Sequence, residues 1–215
     1  MTKRLPMFPL EGVLLPGCLL PLHVFEERYR VMTRECLASD RTFGVVLIER
    51  GREVGGGDLR LNVGTAAVIE EVAELPDGRY ALVCRGTARL EVVTWLPDDP
   101  FPLAEVEIAG DEGPVDRHEL ARAEASVRRA WALLSELGAA SPLDAGLTVG
   151  AVTAEPADAE AEAWSWCALA PLTALDLARL LGAKGHVERL ELLCELTDAV
   201  ATDARGLLAK GQDSV

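Results

Sequence analysis

The run LLPGCLLPLHVFEERYRVM, residues 14–32, decides how the rest of the chain is read. It begins as an apolar stretch broken by Pro16, Gly17 and Pro21. After His23 the period changes, and Phe25, Tyr29, Met32 and Cys36 recur at helical spacing. A secretion signal, a catalytic corner and the mouth of a binding module could each begin this way. A signal needs an uninterrupted apolar region of about 7–15 residues. Lys3 and Arg4 precede this one and LPGC resembles a lipoprotein cleavage site, but Glu11 and the prolines at 6, 9, 16 and 21 break it up. The stretch is therefore expected to belong to the fold.

Working outward, residues 4–109 read as β-rich with one early helix over 26–38. RLPMFPL (4–10) and GVLLP (12–16) are short extended runs punctuated by proline, which sheets tolerate at edges, bulges and strand starts. FGVVLI (43–48) is a buried strand, followed by the glycine-rich loop ERGREVGGGD. GTAAVIEEVAEL and RYALVCRGTARLEVVTWL flank Pro76-Asp77-Gly78, where proline presets φ and glycine supplies a positive φ for a turn. PLAEVEIA (102–109) completes the series by alternation. Short strands with β-branched residues on both faces favour a closed or partly closed barrel.

From Asp111 the texture becomes helical. Asp116 and Glu119 resemble a capping box, and Leu120, Ala123, Val127, Ala130, Leu134 and Leu137 form an apolar stripe that ends at Gly138. Residues 139–156 read as a loop, and Pro156 is placed to open a second helix carrying Ala157, Ala161, Trp164 and Ala168 on one face. Thr173 and Asp176 cap a short helix ending at Gly182, and Val187, Leu190, Cys194, Thr197, Ala201, Ala204 and Leu208 stripe the last one. The expectation is two domains, 1–110 a β-barrel and 111–215 a small helical bundle.

Composition narrows the function. The formal charge is -14, with 12 Lys+Arg against 17 Asp+Glu in residues 1–110 and 9 against 18 in 111–215. Phosphate neutralisation needs clustered cations, so neither half is expected to bind nucleic acid. No apolar segment reaches the roughly 18–20 residues of a membrane span. The five cysteines, odd in number and widely spaced, read as reduced core residues in a cytoplasmic protein.

Catalytic patterns are sparse. No G-x-x-x-x-G-K-[ST] loop and no G-x-S-x-G elbow occurs. His23 borders Glu26 and Glu27, which makes it the one candidate acid or base, whereas His118 and His186 are expected at the surface. The acidic pairs Glu26-Glu27, Glu70-Glu71 and Asp98-Asp99 put neighbours on different faces and read as solvated positions. Trp164 is expected in the core and Trp166 partly exposed. No metal or cofactor site is expected.

LPMFPLEGVLLPGCLLPLHVFEERYRVM, followed in order by FGVVLI, GREVGGG, VGTAAVIEEV, DGRYALVCRGTARLEV and AEVE, closely resembles the amino-terminal substrate-binding domain of bacterial Lon protease, as found in small stand-alone proteins. The match spans residues 4–109; the helical remainder is similar in layout to the bundle that follows in that family. The resemblance implies an α+β fold, a PUA-like pseudo-barrel with one inserted helix followed by a helical bundle. In it Pro16-Gly17 turns one strand into another, Leu19–Val24 is the second, and Phe25, Tyr29 and Met32 seat the helix. It also implies a non-catalytic role in recognising unfolded polypeptide or a protein partner, as an adaptor in protein quality control, with neither the ATPase nor the Ser-Lys protease module of full-length Lon expected in these residues. Candidate partner-binding residues are Glu26 and Arg28, which match the family signature, and Trp95, Leu96 and Phe101, which could equally complete the barrel core. RNA binding, by analogy with other PUA-like barrels, and a small enzyme built on His23 or a cysteine are the alternatives.

Overall fold

The computed structural model describes residues 2–50, 59–110, 114–142 and 158–212. The chain divides into two compact units, Met1–Gly110 and Asp111–Val215.

The first unit runs β1 (Thr2–Leu10), β2 (Leu19–Val24), α1 (Glu27–Leu37), β3 (Thr42–Arg50), β4 (Leu59–Glu74), β5 (Tyr80–Leu96) and β6 (Leu103–Ala109). The sheet order is β2-β5-β4-β3-β1-β6, and β6 pairs in addition with β5. That last pairing closes β5, β4, β3, β1 and β6 into a ring and, among the described residues, leaves β2 attached to β5 alone. Two strands make closure possible by changing partners along their length. β5 pairs through Tyr80–Arg85 with β2 and through Arg89–Leu96 with β6. β1 pairs antiparallel with β6 through Thr2–Pro6, then parallel with β3 through Met7–Leu10. Register shifts in β4 and β5 between Ala66 and Ala67, Ile69 and Glu71, and Val92 and Thr94 supply the bends that long strands need to curl.

Alternation fills the ring. Leu5, Met7, Val46, Ala66, Leu90, Val92, Ala104 and Val106 meet in its interior, and Trp95 packs on the cluster. α1 lays Tyr29, Met32, Thr33 and Cys36 inward, and Tyr29 stacks on Phe8 of β1 with ring centroids 4.2 Å apart. Phe25 does not join that face and is 54% exposed. The N-cap Glu26 is extended (φ −70°, ψ 138°), so Phe25 precedes the helix and escapes its 3.6-residue repeat. The run 12–16 is likewise no strand; it is an irregular segment with Leu14, Leu15 and Pro16 buried. At the β4–β5 turn Gly78 has φ 76°, and a Cβ there would lie 2.2 Å from Arg30 Nη2, so the glycine admits both the turn and the arginine of α1.

The second unit contains, among the described residues, α2 (Arg117–Glu136), α3 (Ala159–Leu169), α4 (Ala174–Gly182) and α5 (His186–Gln212). Asp116 caps α2 by accepting from the backbone N–H groups of His118 and Glu119, and Thr173 caps α4 through Asp176 N–H. The cap of α3 is Asp158, accepting from Ala161 N–H, so that helix opens later than Pro156 suggested; Pro156 and Ala157 lie outside the described residues. The α5 stripe holds from Leu190 to Ala204, with Leu193 added at 0% exposure, while Val187 is 53% exposed. Two further expectations are corrected: Trp166 and His186 are both buried. Trp166 lies under the Arg128 guanidinium, whose carbon is 5.0 Å from the ring centroid. Fully buried Arg189 stacks on Trp164 at 3.9 Å and donates to the carbonyls of Leu180 and Ala183, tying α5 to the end of α4.

Candidate functional site

The ring has an open seam beside it. β2 is bonded on one side to β5, and Met7–Leu10 of β1 is bonded on one side to β3, but β2 and β1 are not neighbours in the sheet. Between them lies a cleft of about 390 Å³, lined by Phe8 and Leu10 of β1, by residues 12–14, by Leu20–Val24 of β2, and by Phe25, Glu26 and Tyr29 at the start of α1. The run 14–32 therefore supplies two of the walls.

Local chemistry explains why the wall of residues 12–18 holds its place. Thr65 Oγ1, fully buried on β4, donates to Leu14 O at 2.6 Å. Gly17 N–H donates to Gly86 O on β5, and Gly86 N–H donates to Cys18 O. A Cβ at Gly86 would lie 2.5 Å from Leu15 O, so only glycine lets the segment rest directly on the strand. The Cys18–Gly86 bond also fixes the phase of β2. By antiparallel alternation Leu20, Leu22 and Val24 bond to β5, while the main-chain groups of Leu19, Pro21 and His23 turn toward the open edge. Pro21 has no N–H, so that edge lacks its middle donor.

The rim is polar. Glu26 and Arg28 form an ion pair at 3.1 Å with both side chains about one-fifth exposed, and the Arg28 guanidinium sits 4.5 Å from the Tyr29 ring centroid. Phe25 and His23 project at the edge as exposed side chains. Such a cleft can take up apolar side chains and offer a few main-chain hydrogen bonds to an extended ligand.

The remaining sequence candidates lie elsewhere. Trp95 and Leu96 are at the far end of β5 from its β2-paired stretch. Trp95 Nε1 donates to Asn62 Oδ1 at 3.0 Å, and Arg60 stands 4.9 Å from its ring while holding Asp98 through two bonds. Both residues are partly exposed, whereas Phe101 is 2% exposed and packs as core. Glu26 lines the cleft with Arg28 paired to it, and the Trp95 group is not among the lining residues. Phe8, Leu10, Leu14 and Leu20 also line the cleft, and no sequence signal marks them out, because their apolar pattern is the same in a filled barrel.

At least one member of each acidic pair is held by arginine. Glu27 pairs with Arg30 and Arg34, Glu70 with Arg85, and Asp98 with Arg60. Burial pushes the Cys18 thiol up to about 11 and those of Cys36 and Cys84 up to about 12, so at neutral pH they are protonated and poor nucleophiles. Among the described residues no group of three His, Cys, Asp or Glu side chains could hold a metal ion, and no helix is long and apolar enough to cross a membrane.

Residues 4–199 match the family of the ATP-dependent protease La (LON) substrate-binding domain. The chain belongs to the Lon substrate-binding domain family. The matched region takes in strands of the first unit and helices of the second, so the family extends past the barrel into the helical region. A Lon N-terminal domain protein from Xanthomonas campestris superposes with a TM-score of 0.63 at 26% identity, covering 89% of this chain and 96% of that one. The N-terminal domain of a Mycobacterium avium complex Lon protease, at 22% identity and TM-score 0.60 over 91% and 98% of the two chains, shares the fold. Lon proteases of Cytophaga hutchinsonii and Herpetosiphon aurantiacus are 28% and 34% identical over 155 and 110 residues, or 70% and 50% of this chain. The Lon-type chain described here spans only 19% and 13% of those two relatives' lengths.

Proposed function

We propose that the protein is a non-catalytic module that binds unfolded polypeptide in the seam cleft, acting in the cytoplasm as a recognition or adaptor component of protein quality control. One observation carries the reading: an apolar cleft lies against a strand edge that has no strand partner among the described residues, and this pairing of features is how extended peptides are recognised. Leu20, Leu22 and Phe25 would receive apolar side chains, and Leu19 and His23 would offer main-chain groups. The Glu26–Arg28 pair, stacked on Tyr29, would hold the rim. Family membership supports a substrate-binding role. The buried, protonated thiols leave the cysteine-based enzyme reading without a ready nucleophile. The distributed negative charge disfavours RNA.

The test is fluorescence anisotropy with a labelled unfolded polypeptide and, at the same physiological salt, single-stranded RNA. Saturable polypeptide binding is expected without nucleotide. Phe25→Ala removes an exposed ring that packs against no core, so folding should be preserved while Kd rises about tenfold, corresponding to roughly 1.4 kcal/mol. An unchanged Kd in the folded variant removes Phe25 from the site, and RNA binding tighter than polypeptide binding overturns the proposal.

A further inference from the structure

A second, shallower cleft of about 480 Å³ lies on the other side of β2, lined by three consecutive residues from each of three strands: 21–23 of β2, 71–73 of β4 and 81–83 of β5. Pro21, Leu22 and His23 line both clefts, so β2 is a ridge shared between them. Register defines the floor. Pro21, Val83 and Glu71 are cross-strand neighbours, as are His23, Ala81 and Ala73. The side chains of each row share a face of the sheet. The floor is therefore small and apolar, with His23 at one corner and the Glu71 carboxylate at the opposite one. Glu70, next in sequence, is held by two bonds from Arg85. Glu71 is exposed and, among the described residues, has no cationic partner.

We propose that a polypeptide seated in the seam cleft crosses β2 at Pro21 into this second cleft, where an apolar side chain rests on Val83 and Ala81 and an adjacent Lys or Arg pairs with Glu71. The proposal rests on the reading of the seam cleft as a polypeptide site and adds a direction and a sequence preference to it. Pro21 is the reason for a crossing. A chain bonded to the β2 edge beside Pro21 finds no N–H at Pro21 itself, so it can leave the edge there and pass over the ridge without losing a donor. Continuity of the lining supplies the path, and the free carboxylate selects the charge.

Two labelled peptides test this with the full chain. One is a six-residue apolar peptide for the seam alone; the other carries the same six residues followed by eight more that include a Leu-Arg pair. The longer peptide is expected to bind about tenfold more tightly, as a second tethered contact would give. Glu71→Lys should weaken the longer peptide by roughly three- to tenfold and leave the shorter one unchanged. Exchanging the peptide's Arg for Glu should restore its affinity for that variant. Position 71 is exposed, so the substitution leaves the core alone, and circular dichroism confirms the fold. Equal affinity of the two peptides, or an equal effect of Glu71→Lys on both, overturns the second cleft while leaving the seam reading standing. Failure of both peptides to bind the unmodified protein overturns the seam reading and this proposal with it.

Discussion

Replacing Thr65 by valine tests how the cleft wall is held. The two side chains are nearly the same shape, so the change deletes one hydroxyl and little else. In the protein that hydroxyl is fully buried and donates at 2.6 Å to the carbonyl of Leu14, a cleft residue that is itself only 5% exposed. Without the hydroxyl, the carbonyl of this buried residue loses its side-chain donor. Its desolvation then goes uncompensated, a cost of about 1–3 kcal/mol. With a urea dependence on the order of 2 kcal/mol per molar, the unfolding midpoint should fall by about 1 M at unchanged slope. Thr87→Val is the matched control. Thr87 also donates to a backbone carbonyl, that of Ala66 at 3.0 Å, but it is exposed, and water can replace it. Its effect should stay within about 0.5 kcal/mol. Amide hydrogen exchange should quicken over residues 12–18 in Thr65→Val and not in the control. Equal midpoints for the two variants would refute the reasoning, because burial of the hydroxyl would then have no energetic consequence.

Further outcomes follow from the rest of the molecule. Arg189→Met keeps the bulk against Trp164 but leaves the buried carbonyls of Leu180 and Ala183 without their donor, and urea unfolding of the helical unit should show a loss of about 2–4 kcal/mol. Asp198 is held below the usual carboxylate range first by the hydroxyl of Ser126 and then by Arg129. A depressed folded-state value means stability that is fully present above the unfolded carboxylate value near 4 and is lost as pH falls through the folded one. Asp198→Asn should therefore flatten the acid limb of the stability profile below about pH 4, measured by denaturation at stepped pH. All five cysteines are buried, so a thiol reagent at neutral pH should label the native protein far more slowly than the denatured one; rapid labelling of the native state would contradict the packing.

Much of the architecture was legible because local signals agreed with the global fold. Pro76-Asp77-Gly78 announced a turn, and the structure adds that Gly78 also clears room for Arg30. Asp116 and Thr173 announced helix starts and are N-caps. The misreadings occurred where an element's edge or its neighbours decide the outcome. Phe25 matched the helical period yet lies before the cap. His186 and Trp166 looked like surface residues until neighbouring helices buried them. For the candidate site, the sequence pointed to the family signature around Glu26, which lines the cleft, but could not separate a filled seam from an open one.

What the sequence by itself determined is the set of elements, their punctuation and the family, because alternation, caps and glycine turns act over a few residues and are written in adjacent positions. What only the tertiary structure decided is where a sheet fails to close. Leu10 and Leu20 would be apolar in either case. The cleft exists because β1 leaves β6 for β3 while β2 bonds to β5 alone, and that choice of partners is made by residues scattered along the chain from Met7 to Arg85.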